Sequence, residues 1–547
     1  MSNTASVALG LFLAAFHPSF AFADDPKFRT DSKPAKASAA FFEDGVIAEL
    51  RIEITPAELK KLQANNRAYV RCTVTETVTT AGEKKATTFT DVAIKLKGAA
   101  GSFRDLNDRP ALTLNMDKFH DGQSFHGLDK FHLNNSVQDA SLLNELVCGH
   151  LFHQAGVPAA RASHARIWLN KRDLGIYVLK EGFDPTFLRN WFDKPTGNLY
   201  DGGFCREIDQ PLEKDCGTGP DNHSDLKALR AACAIADATK RQAELEKVLD
   251  IDQFLSFAAM EMLTSHWDGY CRARNNYRIY FNPTNGKAVF LPHGMDQMFG
   301  DPNFPLFDIA GIVGSAVTQV PEFRQRFRKR VDELWPLLAP EKLNPVIDGV
   351  GKRLKPVLEA MNKDHARGVL AEMQGVKERI KQRHLSVQKI MKSYVEPLVP
   401  KFDRKGELVV TGWTEVKETE DAVHAKQDLP GDKKALVLKV GPGRQCIASW
   451  RREITLSPGK YEFQSLVKTT GVVGKSDANQ KAGGAGIRIS GGTRANSLSG
   501  TADWALLKHP FEVTQDGQPV ILVAELRATA GTVMFDTASM KLVRLKQ

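Results

Sequence analysis

Between Leu263 and Gly300 the chain gathers side chains able to hold a divalent cation and to handle a hydroxyl proton: Asp268, the pair Asn275-Asn276, and Asp296. An acid that orients an attacking hydroxyl, with an amide and a second acid as hard oxygen ligands, is the combination that phosphoryl transfer uses. Both acids also stand where turns commonly place Asp. The surrounding elements decide whether they meet. Phe254 to Leu263 reads as an apolar helix. Tyr277, Ile279 and Phe281 alternate with Arg278 and Tyr280 in the pattern of a half-buried strand. Asn285-Gly286 predicts a tight hairpin turn with both residues at positive φ. Ala288 to Leu291 is the return strand, ended by Pro292. The loop carrying Asp268 precedes this hairpin and Asp296 follows it, so the three groups are expected to converge at its open end.

Composition bounds the class. The 547 residues are 42% hydrophobic and 25% charged, an ordinary globular balance with length for more than one domain. The net charge of +9 is dispersed. Its densest run, Arg324 to Arg330, alternates with Phe323, Phe327, Val331 and Leu334, so it reads as the solvated face of a helix. No nucleic-acid recognition motif accompanies it. Met1–Ala23 has the apolar core and Ala21-Phe22-Ala23 site of an export signal, and no other apolar run is long enough to span a bilayer. The mature chain is therefore expected to be secreted, periplasmic or at the cell surface, with no transmembrane segment. Of seven Cys, Cys205 and Cys216 bracket a short polar loop and are the expected disulfide. No Cys or His spacing is that of a zinc site.

Read in order, residues 24–40 are expected to be a flexible leader. Val46 to Ile52, Val70 to Val74, Val92 to Leu96 and Ala111 to Met116 alternate as strands. Thr55-Pro56-Ala57-Glu58 predicts a capped helix start. Lys97 to Ser102 is a small-residue loop whose amides could approach a phosphate. Ser141 opens a helix that Gly156 and Pro158 stop. Arg166 to Leu169 and Gly175 to Lys180 flank a turn at Asn170 to Asp173, with Glu181 at the end. Asp225 to Leu263, Glu322 to Leu338 and Glu341 to Lys392 are helical. A strand-rich half followed by a helix-rich half predicts an α+β, two-lobed, protein-kinase-like domain over 41–395. After a linker at 396–406, short alternating segments over 407–547 predict an all-β sandwich of jelly-roll type. Trp413, Trp450 and Trp504 there could stack on sugar rings or fill the core.

Several ordered blocks carry a resemblance. Lys97-Gly98, Phe125 to Asn135 (FHGLDKFHLNN), Asp139 to Leu146 (DASLLNEL), Leu169 to Glu181 (LNKRDLGIYVLKE) and the Asp268 to Gly300 block together resemble the CotH kinase family of atypical secretory kinases. The resemblance spans about Phe41 to His384. It implies ATP and Mg²⁺ or Mn²⁺ as cofactors and Ser or Thr hydroxyls of a secreted or surface protein as acceptors. Asp268 would orient the hydroxyl. Asn276, with Asn275 as the fallback, and Asp296 would bind metal. Glu145 would pair with a phosphate-contacting cation, to be supplied by Lys97 or Arg109. Glu181 would lie near the adenine. Gly294 stands where the family commonly has a further acid, and Thr113 and Asn115 occupy places where it has Lys. The C-terminal domain resembles carbohydrate-binding jelly rolls at Gly500 to Trp504 and Phe535-Asp536, so a polysaccharide is a second expected partner. The alternative is an inactive kinase-like surface protein that binds a glycan or a protein partner.

Overall fold

The computed structural model describes residues 28–545 except 30, 81–82, 394–399, 404, 432, 476–482 and 515–517. The expected export signal at 1–23 lies outside the described residues, as does part of the expected linker. The chain is mixed α and β and divides into two compact units. One comprises Met1–Ala232, Leu245–Ser315 and Arg326–Lys389; the other comprises Cys233–Glu244, Ala316–Gln325 and Ile390–Gln547. Three short stretches that sequence assigned to the kinase-like domain, 233–244, 316–325 and the end from 390, thus group with the second unit.

The first unit begins with α1 (Lys33–Asp44). This corrects the flexible leader: Ser32 caps the helix, and Ala35, Ala39 and Phe42 are buried. There follow β1 (Ala48–Glu53), α2 (Pro56–Ala64), β2 (Val70–Thr80), β3 (Glu83–Lys97), β4 (Ala111–Asn115), β5 (Lys130–Asn134), α3 (Asn144–Gln154), β6 (Ala162–Leu169) and β7 (Arg172–Glu181). Thr55 caps α2 as expected, its hydroxyl accepting from the Glu58 N–H. The strands close into a barrel in the order β1-β2-β3-β4-β5-β7-β6. Closure comes from β1, which pairs antiparallel with β2 and parallel with β6. The β6–β7 turn holds Asn170 and Lys171, both at positive φ, as a two-residue hairpin of the strands' own twist requires.

The period of two sorts each barrel strand into two sets. Leu96, Ile94, Leu112, Leu114, Phe131, Leu133, Tyr177 and Leu179 join the inner core. Their neighbours Lys95, Lys97, Thr113, His132, Asn134 and Lys180 fall on the outer face. Register aligns one row of these across four strands: Lys95 faces Thr113, Thr113 faces His132, and His132 faces Lys180.

The rest of this unit runs through α4 (Pro185–Trp191), β8 (Leu199–Asp201), β9 (Glu213–Cys216), α5 (Ser224–Cys233), α6 (Ala238–Val248), α7 (Ile251–Leu263), α8 (Tyr270–Ala273), β10 (Tyr277–Asn282), β11 (Lys287–Pro292), α9 (Ile312–Thr318), α10 (Pro321–Leu334), α11 (Pro340–Met361) and α12 (Lys363–Ser393), some residues of which group with the second unit. Strands β11-β10-β8-β9 form a small sheet. Strand β10 is buried on both faces from Tyr277 to Phe281, not half-buried as its alternation predicts. The hairpin turn differs too. Register pairs Asn282 with Lys287, leaving four residues, and of Asn285 and Gly286 only Gly286 has positive φ. Cys205 and Cys216 are both free. The expected disulfide is absent because Cys216 sits in β9 opposite Leu199, while Cys205 is exposed beside Asn275.

The second unit carries β12 (Glu407–Val409), β13 (Thr414–Lys417), β14 (Val423–Leu429), β15 (Lys433–Val440), β16 (Cys446–Leu456), β17 (Gly459–Gly474), β18 (Gly484–Ile489), β19 (Gly500–Val513), β20 (Gln518–Asp536) and β21 (Lys541–Arg544). These form one hydrogen-bonded network around the long β20, which pairs with β15, β16, β17 and β18. Gly531, at positive φ and packed on the Gly471 carbonyl, lets β20 turn where its partners change. Trp450 and Trp413 belong to the core, each indole N–H bonded to a backbone carbonyl; Trp504 is half-buried. Trp450→Ala is expected to lower unfolding free energy by about 3–5 kcal/mol, read by denaturant titration.

Candidate functional site

The Asp268 loop is shaped from below by Glu261, a fully buried acid near the end of α7. Its Oε1 accepts the Tyr270 N–H at 3.0 Å and its Oε2 accepts the Cys271 N–H at 2.7 Å. The backbone between must arch, and Asp268 is at the arch. Asn275 Nδ2 donates to Asp268 Oδ1 at 3.1 Å, and Asn276 Nδ2 donates to Asp268 Oδ2 at 2.8 Å. Both amides therefore fix the carboxylate. The chain after β11 is zipped to the same loop: Phe299 N–H donates to the Thr264 carbonyl at 2.9 Å and Ser265 Oγ donates to the Asp301 carbonyl at 3.0 Å. Arg383 of α12 clasps the base. Buried, it donates to the carbonyls of Met262, Leu263, Pro302 and Phe304 at 2.7–3.0 Å.

Asp296 belongs to a second group, built on the outer face of the barrel. Asn144, in the first turn of α3, donates to the Asp296 carbonyl at 2.8 Å. The next residue, Glu145, pairs through Oε2 with Lys180 Nζ at 2.7 Å, both buried. Glu145 Oε1 accepts from Asn134 Nδ2 at 3.2 Å, and Asn134 Oδ1 accepts from Lys97 Nζ at 2.6 Å. The result is a chain Lys180–Glu145–Asn134–Lys97. Burial, then the neighbouring Lys180 charge, lowers Lys97 to about 8. Burial, then Glu145, raises Asp296 to about 6, against the pull of Lys97 and Lys180. His293 Nδ1 lies 3.5 Å from Lys180 Nζ, and His132 Nδ1 lies 3.0 Å from Thr113 Oγ1. Burial and the surrounding cations push both imidazoles well below their ordinary value, so both are neutral.

Of the residues expected in the site, the fold brings Asp268, Asn275 and Asn276 into one hydrogen-bonded group and Lys97, Glu145 and Asp296 into one electrostatic group. Gly294 joins the two. It has φ of +56°, and a Cβ there would lie 2.2 Å from Asn276 Oδ1. The space a side chain at 294 would need is filled by the Asn276 amide. Arg109 and Glu181 go elsewhere. The Arg109 guanidinium donates to the Ile176 carbonyl, stacks over Tyr177 and lines a separate cavity with Ser136 and His365. Glu181 is locked in a buried pair with Arg161, Oε1 to Nη2 at 2.6 Å and Oε2 to Nε at 3.0 Å. The cation that pairs with Glu145 is Lys180, which the sequence expectations of Lys97 or Arg109 do not include. Its signal was present: a lysine in the apolar run Ile176 to Leu179, out of phase with the inward-facing Tyr177 and Leu179.

Among the described residues no three His, Cys, Asp or Glu side chains group as a metal site. Two hard oxygens remain at the Gly294–Asp296 turn: the Asp296 carboxylate, and Asn276 Oδ1, whose Nδ2 is turned to Asp268. These fit a Mg²⁺-like ion that keeps waters and takes its other ligands from phosphates, and they do not fit an all-protein cage.

Two outcomes follow from this geometry. Gly294→Ala should push the Asn276 amide off Asp268 and cost about 1–3 kcal/mol in denaturant unfolding. Gly122→Ala, also at positive φ but with nothing within 4 Å, is the milder control. For Asp296, a folded-state value raised from 3.8 to about 6 means the fold favours its neutral form. That contribution is present below about pH 4 and is lost as pH rises through about 6. In EDTA, Asp296→Asn should therefore raise the melting temperature near pH 7.5 and leave it unchanged near pH 4.

A sequence profile of the family described as CotH kinase protein matches residues 94–387, more than half of the chain. Invasin CotH3 of Rhizopus delemar is 28% identical over 189 residues, 31% of this chain and 31% of that protein. Inner spore coat protein H of Bacillus subtilis is 22% identical over 267 residues, 44% of this chain and 71% of that protein. The chain thus spans about a third of the invasin's length. Among solved structures, TmCBM61 in complex with β-1,4-galactotriose is similar at a TM-score of 0.17 and 12% identity, covering 24% of this chain and 88% of that one. A score that low carries no conclusion about a ligand. The profile match, with Asp268, Asn276, Asp296, Glu145 and Lys180 all inside it, places the chain in the CotH kinase protein family.

Proposed function

We propose that this protein is an exported kinase that transfers the γ-phosphoryl group of ATP to Ser or Thr hydroxyls of secreted or surface proteins. The observation that carries the proposal is the buried Lys180–Glu145 pair, extended to Lys97 and set beside Asp296. Kinases use a lysine–glutamate pair of this kind to hold nucleotide phosphates. The barrel and the helical remainder of the first unit would then act as the two lobes of a kinase. Two lysines on the barrel face would contact phosphate oxygens, and the neutral His132 and His293 would leave the charge of those lysines undiluted. Asp268, oriented by Asn275 and Asn276, would accept the proton of the acceptor hydroxyl. The hydroxyl oxygen bonds to the γ-phosphorus as the bridging bond breaks, and ADP departs with that electron pair. Asp296 and Asn276 would hold Mg²⁺ or Mn²⁺, which when bound neutralises phosphate charge.

A surface location accords with relatives called an invasin and a spore coat protein. No helix among the described residues is long and apolar enough to cross a membrane. The alternative, a scaffold whose β-sandwich binds polysaccharide, has less support, because Trp413 and Trp450 fill the core and only Trp504 of the three is partly open.

The test is transfer of labelled phosphate from ATP to a general acceptor protein with Mg²⁺ or Mn²⁺. Asp268→Asn, Lys180→Met and Asp296→Ala should each lower the rate at least about a hundredfold. Absence of transfer in the parent, with no metal-dependent nucleotide binding by calorimetry, would sink the proposal.

A further inference from the structure

Two aromatic side chains stand open to water beside Asp268. Trp267, the residue before it, is 50% exposed, and Phe204 is 64% exposed. Among the described residues every other Phe, Tyr and Trp is buried or half-buried. The two are linked through the same amide. Phe204 precedes Cys205, whose N–H donates to Asn275 Oδ1 at 3.2 Å, and Asn275 donates in turn to Asp268.

Neither aromatic is on loose backbone. Glu261 fixes the Trp267 loop. The Phe204 segment is held by Tyr277 Oη donating to the Arg206 carbonyl at 3.0 Å, and by Glu207, which accepts from Tyr270 Oη at 3.1 Å and from the Ile312 N–H at 2.6 Å. A few residues further on, the same segment walls a cavity of about 390 Å³ whose lining is mixed, with Ile208, Pro211 and Leu226 beside Asp209, Lys227 and Arg230. Rigid, exposed aromatics are what peptide-binding surfaces use, since they offer apolar area at little cost in side-chain entropy.

We propose that Trp267 and Phe204 form the acceptor subsite, and that they select polypeptide segments with a large apolar side chain next to the Ser or Thr. This rests on the phosphotransfer reading for its placement: the hydroxyl must arrive at Asp268, and its flanking residue then lies over the two rings. A polypeptide is the occupant because, on the phosphotransfer reading, the group brought to Asp268 is a Ser or Thr hydroxyl.

The experiment uses the full chain and two fluorescent Ser peptides that differ only in the flanking residue, Leu or Gly. Binding is read by anisotropy without ATP, and transfer is read by labelled phosphate. The parent is expected to bind the Leu peptide about tenfold more tightly, and the ratio of kcat/KM values for the two peptides should match. Trp267→Ala and Phe204→Ala should bring both ratios towards one, and Trp267→Phe should restore most of the first. Equal binding of the two peptides by the parent overturns the subsite, as does a preference that survives both alanine variants. Binding of cello-oligosaccharides that is lost in the alanine variants, with no peptide preference, overturns it in favour of a glycan. A peptide preference in binding with no phosphate transfer keeps the subsite and removes the kinase reading instead.

Discussion

The constraint on which the site depends is a pair of opposite charges taken out of water. Lys180 and Glu145 are both buried, and neither could be left there alone, because removing one partner of such a pair costs about 3–5 kcal/mol. The pair has to be satisfied on every side. Glu145 spends its second oxygen on Asn134 and lies in the first turn of α3, where the helix dipole favours an acid. The same helix turn holds the Asp296 carbonyl through Asn144. The ion pair thereby sets where the barrel face, α3 and the Asp296 turn stand relative to one another.

The second half of the site is organised by amides and carbonyls instead of ions. Glu261 arches the Asp268 loop, two asparagines hold its carboxylate, and Arg383 ties both chain segments at their base. The contact between Gly294 and Asn276 is where the two halves meet. Its tightness explains a departure from the family pattern that sequence records without a reason: a side chain at 294 and the amide of 276 compete for one volume. Close by, burial and then the Glu145 charge raise the Asp296 carboxyl above its ordinary range, against the pull of Lys97 and Lys180. Groups held in disfavoured protonation states concentrate at functional sites.

Much of this was legible in the chain, and what was not has identifiable causes. The Thr55 cap and the pairing of β10 with β11 rest on local chemistry, and local chemistry is what sequence displays. Glu181 stands apart from the Lys180–Glu145 group because sequence gives a strand but not the direction of its outer face once a barrel has closed. On β7, the adjacent Lys180 and Glu181 point to opposite sides, one to Glu145 and the other to Arg161. The leader was read as flexible from its polar composition. The Ser32 cap and the Ala and Phe residues of α1, which pack once a barrel exists to receive them, outweigh that composition. The expected Cys205–Cys216 bridge failed for a related reason: proximity along the chain does not survive the separation of β9 from the Asp268 loop.

Barrel closure has one more implication, for where this folding unit begins. The strand that seals the barrel is β1, at Ala48–Glu53, and its partner β2 spans Val70–Thr80; both precede residue 94, where the family match starts. The limits of detectable kinship and the limits of autonomous folding are therefore different borders. A fragment trimmed to the matched residues would keep Lys97, Lys180 and every acid discussed above. It would also lose all of β3 but Ile94 to Lys97 and bare the hydrogen-bonding edges of that remnant and of β6 to solvent, and unprotected strand edges invite self-association.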